Sequence, residues 1–123
     1  MCIRDRGGIA NCTNSALEMI EGEFVALLDH DDVLSARALY MVVNELNQNP
    51  ELDLLFSDED KIDEHGVRYE LYFKSSFNYE LLLGQNCISH LGVYRAELIK
   101  KLGGLRCDLD GSQDHDLALR VVK

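Results

Sequence analysis

An α/β sandwich built on a mostly parallel sheet is the fold this sequence predicts, on three observations. Apolar runs of strand length, within 23–28 and 52–56, are near-continuous rather than alternating, as in strands covered on both faces. A clear amphipathic helical pattern lies between them, and strand and helix patterns go on alternating to the end of the chain. No internal repeat or low-complexity linker interrupts the order, and 123 residues suffice for one modest domain with a real core.

The elements follow in order. Asn11 or Thr13 can cap a first helix carrying Ala16, Leu17 and Ile20 and ending at Gly22. Glu23 to Leu28 forms the first strand. Ser35 is placed to cap the next helix, where Leu39, Val42, Val43 and Leu46 recur at three- and four-residue spacing. Asn49-Pro50 stops that helix, and Leu52 to Phe56 forms a second buried strand. An acidic stretch, Ser57 to Asp63, then turns at Glu64-His65-Gly66 and returns as an extended segment from Arg68 to Phe73. Asn78 starts a short helix, Tyr79 to Leu83, closed by Gly84. Ser89 to Tyr94 reads as a strand, and Ala96 to Leu102 as a helix ended by Gly103-Gly104. Ser112 or Gln113 opens a last helix, which reaches the final residue with no C-cap. Residues 1–6, MCIRDR, fit no periodicity and read as an artefactual leader, so that 7–123 is expected to be part of a domain, incomplete at both ends.

Composition narrows the function. The net charge of −10, from 12 basic and 22 acidic residues, repels a phosphate backbone and excludes a nucleic-acid groove. No apolar run approaches the roughly 18 residues of a membrane span, and no signal-peptide pattern opens the chain, so a cytoplasmic setting is expected. The four cysteines, at 2, 12, 87 and 107, form no C-x-x-C pair and no zinc spacing with the four histidines, which predicts reduced thiols.

The acids gather in two places, 29–32 and 58–64. Asp29-His30-Asp31-Asp32 directly follows the first strand, and open α/β sheets bind ligands beyond the carboxyl ends of their strands. Carboxylates that close repel one another unless something positive lies between them, which favours a hard divalent cation, Mg²⁺ or Mn²⁺. A solvated acidic loop that favours the dipole of the following helix is the plainer alternative. An EF-hand is excluded, because Leu34 and Tyr40 stand where the loop beginning at Asp29 needs Gly and an acid, and Tyr69 ends the one beginning at Asp58. A haloacid-dehalogenase-like phosphotransferase also opens with an apolar strand and D-x-D, but Asp32-Val33 replaces its Gly-Thr. A third acidic group, Asp110, Asp114 and Asp116, leads into the last helix, where Asp114 is either a capping acid or a functional carboxylate held at a helix N-terminus.

Four segments in order, GIANCTNSAL, GEFVALLDHDD, FSDEDKID and GGLRCDLDGSQDHDLALR, resemble the family 2 glycosyltransferases of GT-A fold, most of all the bacterial members that build surface polysaccharide. The resemblance covers residues 7 to 123. It implies a Rossmann-like GT-A domain with inverting chemistry, moving a sugar from a nucleotide-sugar donor to a saccharide or lipid-linked acceptor. Asp29 and Asp31 match the D-x-D pair that holds the Mg²⁺ or Mn²⁺ on the donor diphosphate, and Asp32 the acid that often follows. Asp114 matches the general base. Asn14 borders the nucleotide, with Thr13 where the family often has Arg. Asp58, Asp60 and Asp110 are expected among the substrate contacts, beside Asp29 and Asp32. His90 could line the acceptor side and His115 could steer the base. The aromatics Tyr69, Tyr72, Phe73, Phe77 and Tyr79 could stack on sugars or fill a core. Peripheral association with the inner face of the membrane, through regions outside this sequence, and a catalytically inactive remnant are further expectations.

Overall fold

The computed structural model describes residues 8–109 and 111–123; residues 1–7 and Asp110 lie outside the described residues. Helix α1 (Gly8–Leu17) precedes strand β1 (Phe24–Leu27), and helix α2 (Ala38–Gln48) leads to β2 (Leu54–Phe56). Strands β3 (Glu59–Ile62) and β4 (Arg68–Tyr72) form a hairpin, followed by α3 (Tyr79–Gly84), β5 (Gly92–Arg95), α4 (Ala96–Lys101) and α5 (Gln113–Val121). The α/β class stands. No helix among the described residues is long and apolar enough to cross a membrane, and Cys87 and Cys107 are free thiols.

The sheet departs from the parallel expectation. Its order is β1-β5-β2, and both ladders are antiparallel. Strands β1 and β2 run in the same direction, as a crossover through α2 requires, but β5 lies between them in the opposite sense. The reason lies in the connections. After β2 the chain makes the β3–β4 hairpin and α3 without a crossover back to the other end of the sheet. It therefore enters β5 from the rim where β2 finished, and must run antiparallel. Strand and helix patterns alternate in either case, so the sequence does not separate the two connections.

Burial follows this order. The central strand β5 carries buried Val93 and Tyr94, whereas β1 and β2, at the edges of the three-stranded sheet, are only half-buried and Leu28 is exposed. The core lies where Tyr94, Leu82, Ile88, Ile99, Leu105 and Leu117 pack together. In α2, Leu46 is buried, but Leu39 and Val43 from the expected core face are exposed. The hairpin turn closes as expected. Asp63 Oδ1 accepts from the amides of His65 (2.9 Å) and Val67 (2.8 Å), and Gly66 supplies the left-handed residue at φ 78°. Asn78 caps α3 by accepting from the Leu81 amide at 2.9 Å.

Two polar ties position the helices. Arg95, at the end of β5, donates to Asp53 Oδ1 (2.8 Å) and to the carbonyls of Pro50 (2.6 Å) and Leu52 (2.7 Å), fixing the α2–β2 connection. Arg120, on α5, donates to the carbonyls of Leu102 (3.1 Å) and Gly104 (2.7 Å), and to Asp116 Oδ2 (2.8 Å). It satisfies orphan carbonyls just past the end of α4, so α4 and α5 stay in register.

Candidate active site

Strand register creates a rim. Leu27 of β1 and Phe56 of β2 both pair with Gly92, the first residue of β5. The carboxyl ends of β1 and β2 therefore meet the incoming end of β5, and three connections converge there: 28–32, 57–59 and the loop 86–91. Ligand sites of open α/β sheets occupy this kind of rim.

Asp29 to Asp32 fold into a turn closed by the Asp32 amide on the Asp29 carbonyl at 3.2 Å. Turn geometry brings its first and fourth residues to one side. Oxygens of Asp29 and Asp32 and a ring nitrogen of His90 consequently lie within 4.8 Å of one another, with His90 Nδ1 3.1 Å from Asp32 Oδ2. Asp31 is not one of this group: its side chain is 76% exposed and its neighbour is His30, at 3.8 Å. The acids brought together are thus Asp29 and Asp32, where the sequence pattern pairs Asp29 with Asp31. Two carboxylates and an imidazole suit a divalent cation of the Mg²⁺ to Mn²⁺ range, and the nitrogen tilts the set toward Mn²⁺.

The loop 86–91 links this cluster to Asp114. Asn86 Nδ2 donates to Asp114 Oδ2 at 2.7 Å, while Asn86 Oδ1 accepts from the Ser89 amide at 3.2 Å. One residue further on, His90 faces Asp32. Asp114 itself is half-buried in the first turn of α5. Its charge also reaches Tyr94, whose hydroxyl is pushed above its ordinary range by burial, and further by the charge of Asp114. Gly92 makes room for this tyrosine: a Cβ at 92 would come within 2.9 Å of the Tyr94 ring and 3.2 Å of Ile88 Cγ2.

The second acidic stretch divides by strand face. Glu59 points to the rim, accepting from the His90 amide (3.1 Å) and from Lys74 Nζ (2.9 Å). Asp58 and Asp60, expected among the substrate contacts, are engaged with the hairpin in this structure. Asp58 accepts from the Lys74 amide at 2.8 Å, and Asp60 is ion-paired with Arg68. Asn14 is similarly engaged: Nδ2 donates to the Leu105 carbonyl and Oδ1 accepts from its amide, both at 2.8 Å, tying α1 to the turn before α5. Asp110 lies outside the described residues. His115 contacts the Leu82 carbonyl at 2.6 Å, so its ring is anchored to α3. Tyr69, Tyr72, Phe73, Phe77 and Tyr79 are exposed on the hairpin and beyond it, not packed as core.

In the sequence Glu59 stands out only as part of the acidic cluster 58–60, with no role of its own, and nothing there marks Lys74 or Asn86 or places His90 with the acids. Their partners are distant in the chain, so no local spacing marks them. The one local signal was Glu59 itself, whose neighbours Asp58 and Asp60 must face away from it on a strand.

Acids at the carboxyl ends of two like-directed strands, with a half-buried carboxylate across one short loop, give this α/β domain an acidic rim of the kind at which open α/β sheets bind ligands. The chain belongs to glycosyl transferase family 2, whose profile matches residues 2–103. Among curated relatives, an uncharacterized protein y4gI of Sinorhizobium fredii is 43% identical over 117 residues, and the O-antigen biosynthesis protein RfbC of Myxococcus xanthus is 39% identical over 115. The uncharacterized glycosyltransferase MJ1057 of Methanocaldococcus jannaschii is 28% identical over 113 residues. These matches cover 95%, 94% and 89% of this chain but only 13%, 9% and 39% of the respective relatives.

Proposed function

We propose that this chain is part of an inverting glycosyltransferase, moving a sugar from a nucleotide-sugar to a saccharide or lipid-linked acceptor in surface-polysaccharide synthesis at the cytoplasmic face of the membrane. The observation that carries the reading is the shared rim: Asp29, Asp32 and His90 on one side of loop 86–91, Asp114 on the other. Family membership and the relative described as an O-antigen biosynthesis protein support the reaction class.

Asp29, Asp32 and His90 would hold the Mg²⁺ or Mn²⁺, which when bound offsets the negative charge that builds on a departing diphosphate. The chain's own chemistry centres on Asp114. Asn86 fixes its Oδ2, and among the described residues Oδ1 takes no hydrogen bond, leaving that oxygen to accept a proton. The acceptor hydroxyl gives its proton to Asp114 as its oxygen bonds to the anomeric carbon. The bond from that carbon to the diphosphate breaks on the opposite face, so configuration inverts and no covalent enzyme intermediate forms. Asn14, Asp58 and Asp60 serve indirectly, by fixing the turn before α5 and the hairpin beside the rim, and Asp110 joins the substrate contacts.

Calorimetric titration with a panel of nucleotide-sugars, with and without Mn²⁺, tests the reading. Metal-dependent binding is expected; hydrolysis of a simple phosphate ester in its place would support a phosphotransferase. In the full-length gene product, Asp114→Asn should lower turnover by about 10²- to 10⁴-fold with donor affinity retained. Near-normal turnover in that variant removes Asp114 from the role of base.

A further inference from the structure

Lys74 follows β4 and reaches into the molecule. Its side chain is only 3% exposed, and Nζ donates to Glu59 Oε2 at 2.9 Å and to the carbonyls of Ile88 and His90, each at 2.7 Å. An ammonium has three N–H donors, and all three are used. Burying a charge is costly unless it is paired and fully hydrogen-bonded, so a lysine kept at a packed position marks a specific geometric demand.

That demand lies in the loop 86–91. Carbonyls 88 and 90 converge on one cation, and Ser89 between them sits at φ 36°, a left-handed conformation that a non-glycine residue keeps only when its surroundings hold it. Glu59 completes the clamp from the other side: the same oxygen that pairs with Lys74 accepts from the His90 amide. Ser57 Oγ accepts from the Leu91 amide at 3.2 Å. Remove the ammonium and two carbonyls lose their shared donor, while Glu59 loses its neutralising charge. Both functional ends of the loop, Asn86 toward Asp114 and His90 toward Asp32, depend on its shape.

We propose that Lys74 is a positioning residue: its buried ammonium clamps loop 86–91 so that His90 meets Asp29 and Asp32 while Asn86 meets Asp114. The clamp is part of the protein without metal, but its purpose rests on the cation site proposed above. It contacts neither donor nor acceptor and acts through the loop alone.

The test uses Lys74→Met, which keeps length and removes charge, with Lys74→Arg as the charge-preserving control. On the metal-free chain, amide hydrogen exchange at Ser89, His90 and Leu91 should accelerate by about tenfold or more in Lys74→Met, with α5 amides unchanged and with partial recovery in Lys74→Arg. On the Mn²⁺-loaded chain, pulsed electron paramagnetic resonance should show the nitrogen coupling of His90 in the wild type and lose it in Lys74→Met. Should Lys74→Met fail to fold, Glu59→Gln reads the same three amides and is expected to accelerate them locally. Exchange that rises evenly throughout the molecule, or not at all, overturns the proposal, as does a nitrogen coupling that survives Lys74→Met. A wild-type chain that binds no Mn²⁺ defeats the cation reading instead, and the metal-free exchange then still decides the clamp.

Discussion

Replacing Gly104 by alanine probes the tie that sets the approach to Asp114. Gly104 has φ 75°, and a Cβ there would collide with Oδ1 of Asn14, the atom that accepts from the Leu105 amide. The left-handed backbone alone costs alanine about 1–2 kcal/mol. Relief of the collision requires Asn14 to move, which breaks two hydrogen bonds to Leu105 worth about 1 kcal/mol each. The sum is about 3–4 kcal/mol, a large part of the roughly 5–15 kcal/mol that a domain has in total. Urea unfolding followed by far-ultraviolet circular dichroism measures it, with an unchanged slope indicating unchanged compactness. A double-mutant cycle sharpens the result. In an Asn14→Ala background both the collision and the hydrogen bonds are already gone, so Gly104→Ala should there cost only about 1–2 kcal/mol. Equal costs in the two backgrounds would refute the coupling between Asn14 and this turn.

Two further predictions follow from the core. Leu117→Ala, at a fully buried position of α5, should destabilise the chain by about 2–5 kcal/mol in the same assay, and a loss below about 1 kcal/mol would show that α5 is not packed as described. Tyr94 holds its proton more tightly folded than unfolded, because ionising it in the core, beside Asp114, is unfavourable. The unfolded chain therefore releases that proton first as pH rises, and the stability Tyr94 contributes is full below pH about 10 and declines above it. Tyr94→Phe should flatten this alkaline decline in thermal unfolding, and an identical decline in both proteins would contradict the assignment.

Much of the architecture was legible because its signals are local. Asn78 as a helix start, Glu64-His65-Gly66 as a turn, and Gly103-Gly104 as a helix stop each depend on residues within a few positions, and each is found in the structure. Strand direction was not legible. Whether β5 enters from one end of the sheet or the other depends on how the hairpin and α3 return the chain, and no hydrophobic pattern records that. The acidic motif shows the same division. Its place after β1 marks the rim, but which acid lies beside Asp29 in this structure depends on the turn at 29–32 and on His90, which comes 58 positions after Asp32 in the chain. The residues at 58–60 divide in the same way: Glu59 meets the loop at His90, whereas Asp58 and Asp60 meet Lys74 and Arg68. Half-buried β1 and exposed Leu39 and Val43 likewise record which surfaces this chain covers, a property of packing and not of periodicity.

The proposed cation site at the end of β1 gives Asp32, with Asp29 and His90, the larger part in binding, ahead of Asp31. Mn²⁺ affinity, read by electron paramagnetic resonance on the wild type, Asp32→Ala and Asp31→Ala, addresses it directly. Asp32→Ala should weaken binding by about tenfold or more, as loss of one charged ligand implies, while Asp31→Ala stays within about twofold of the wild type. The reverse order would contradict the claim.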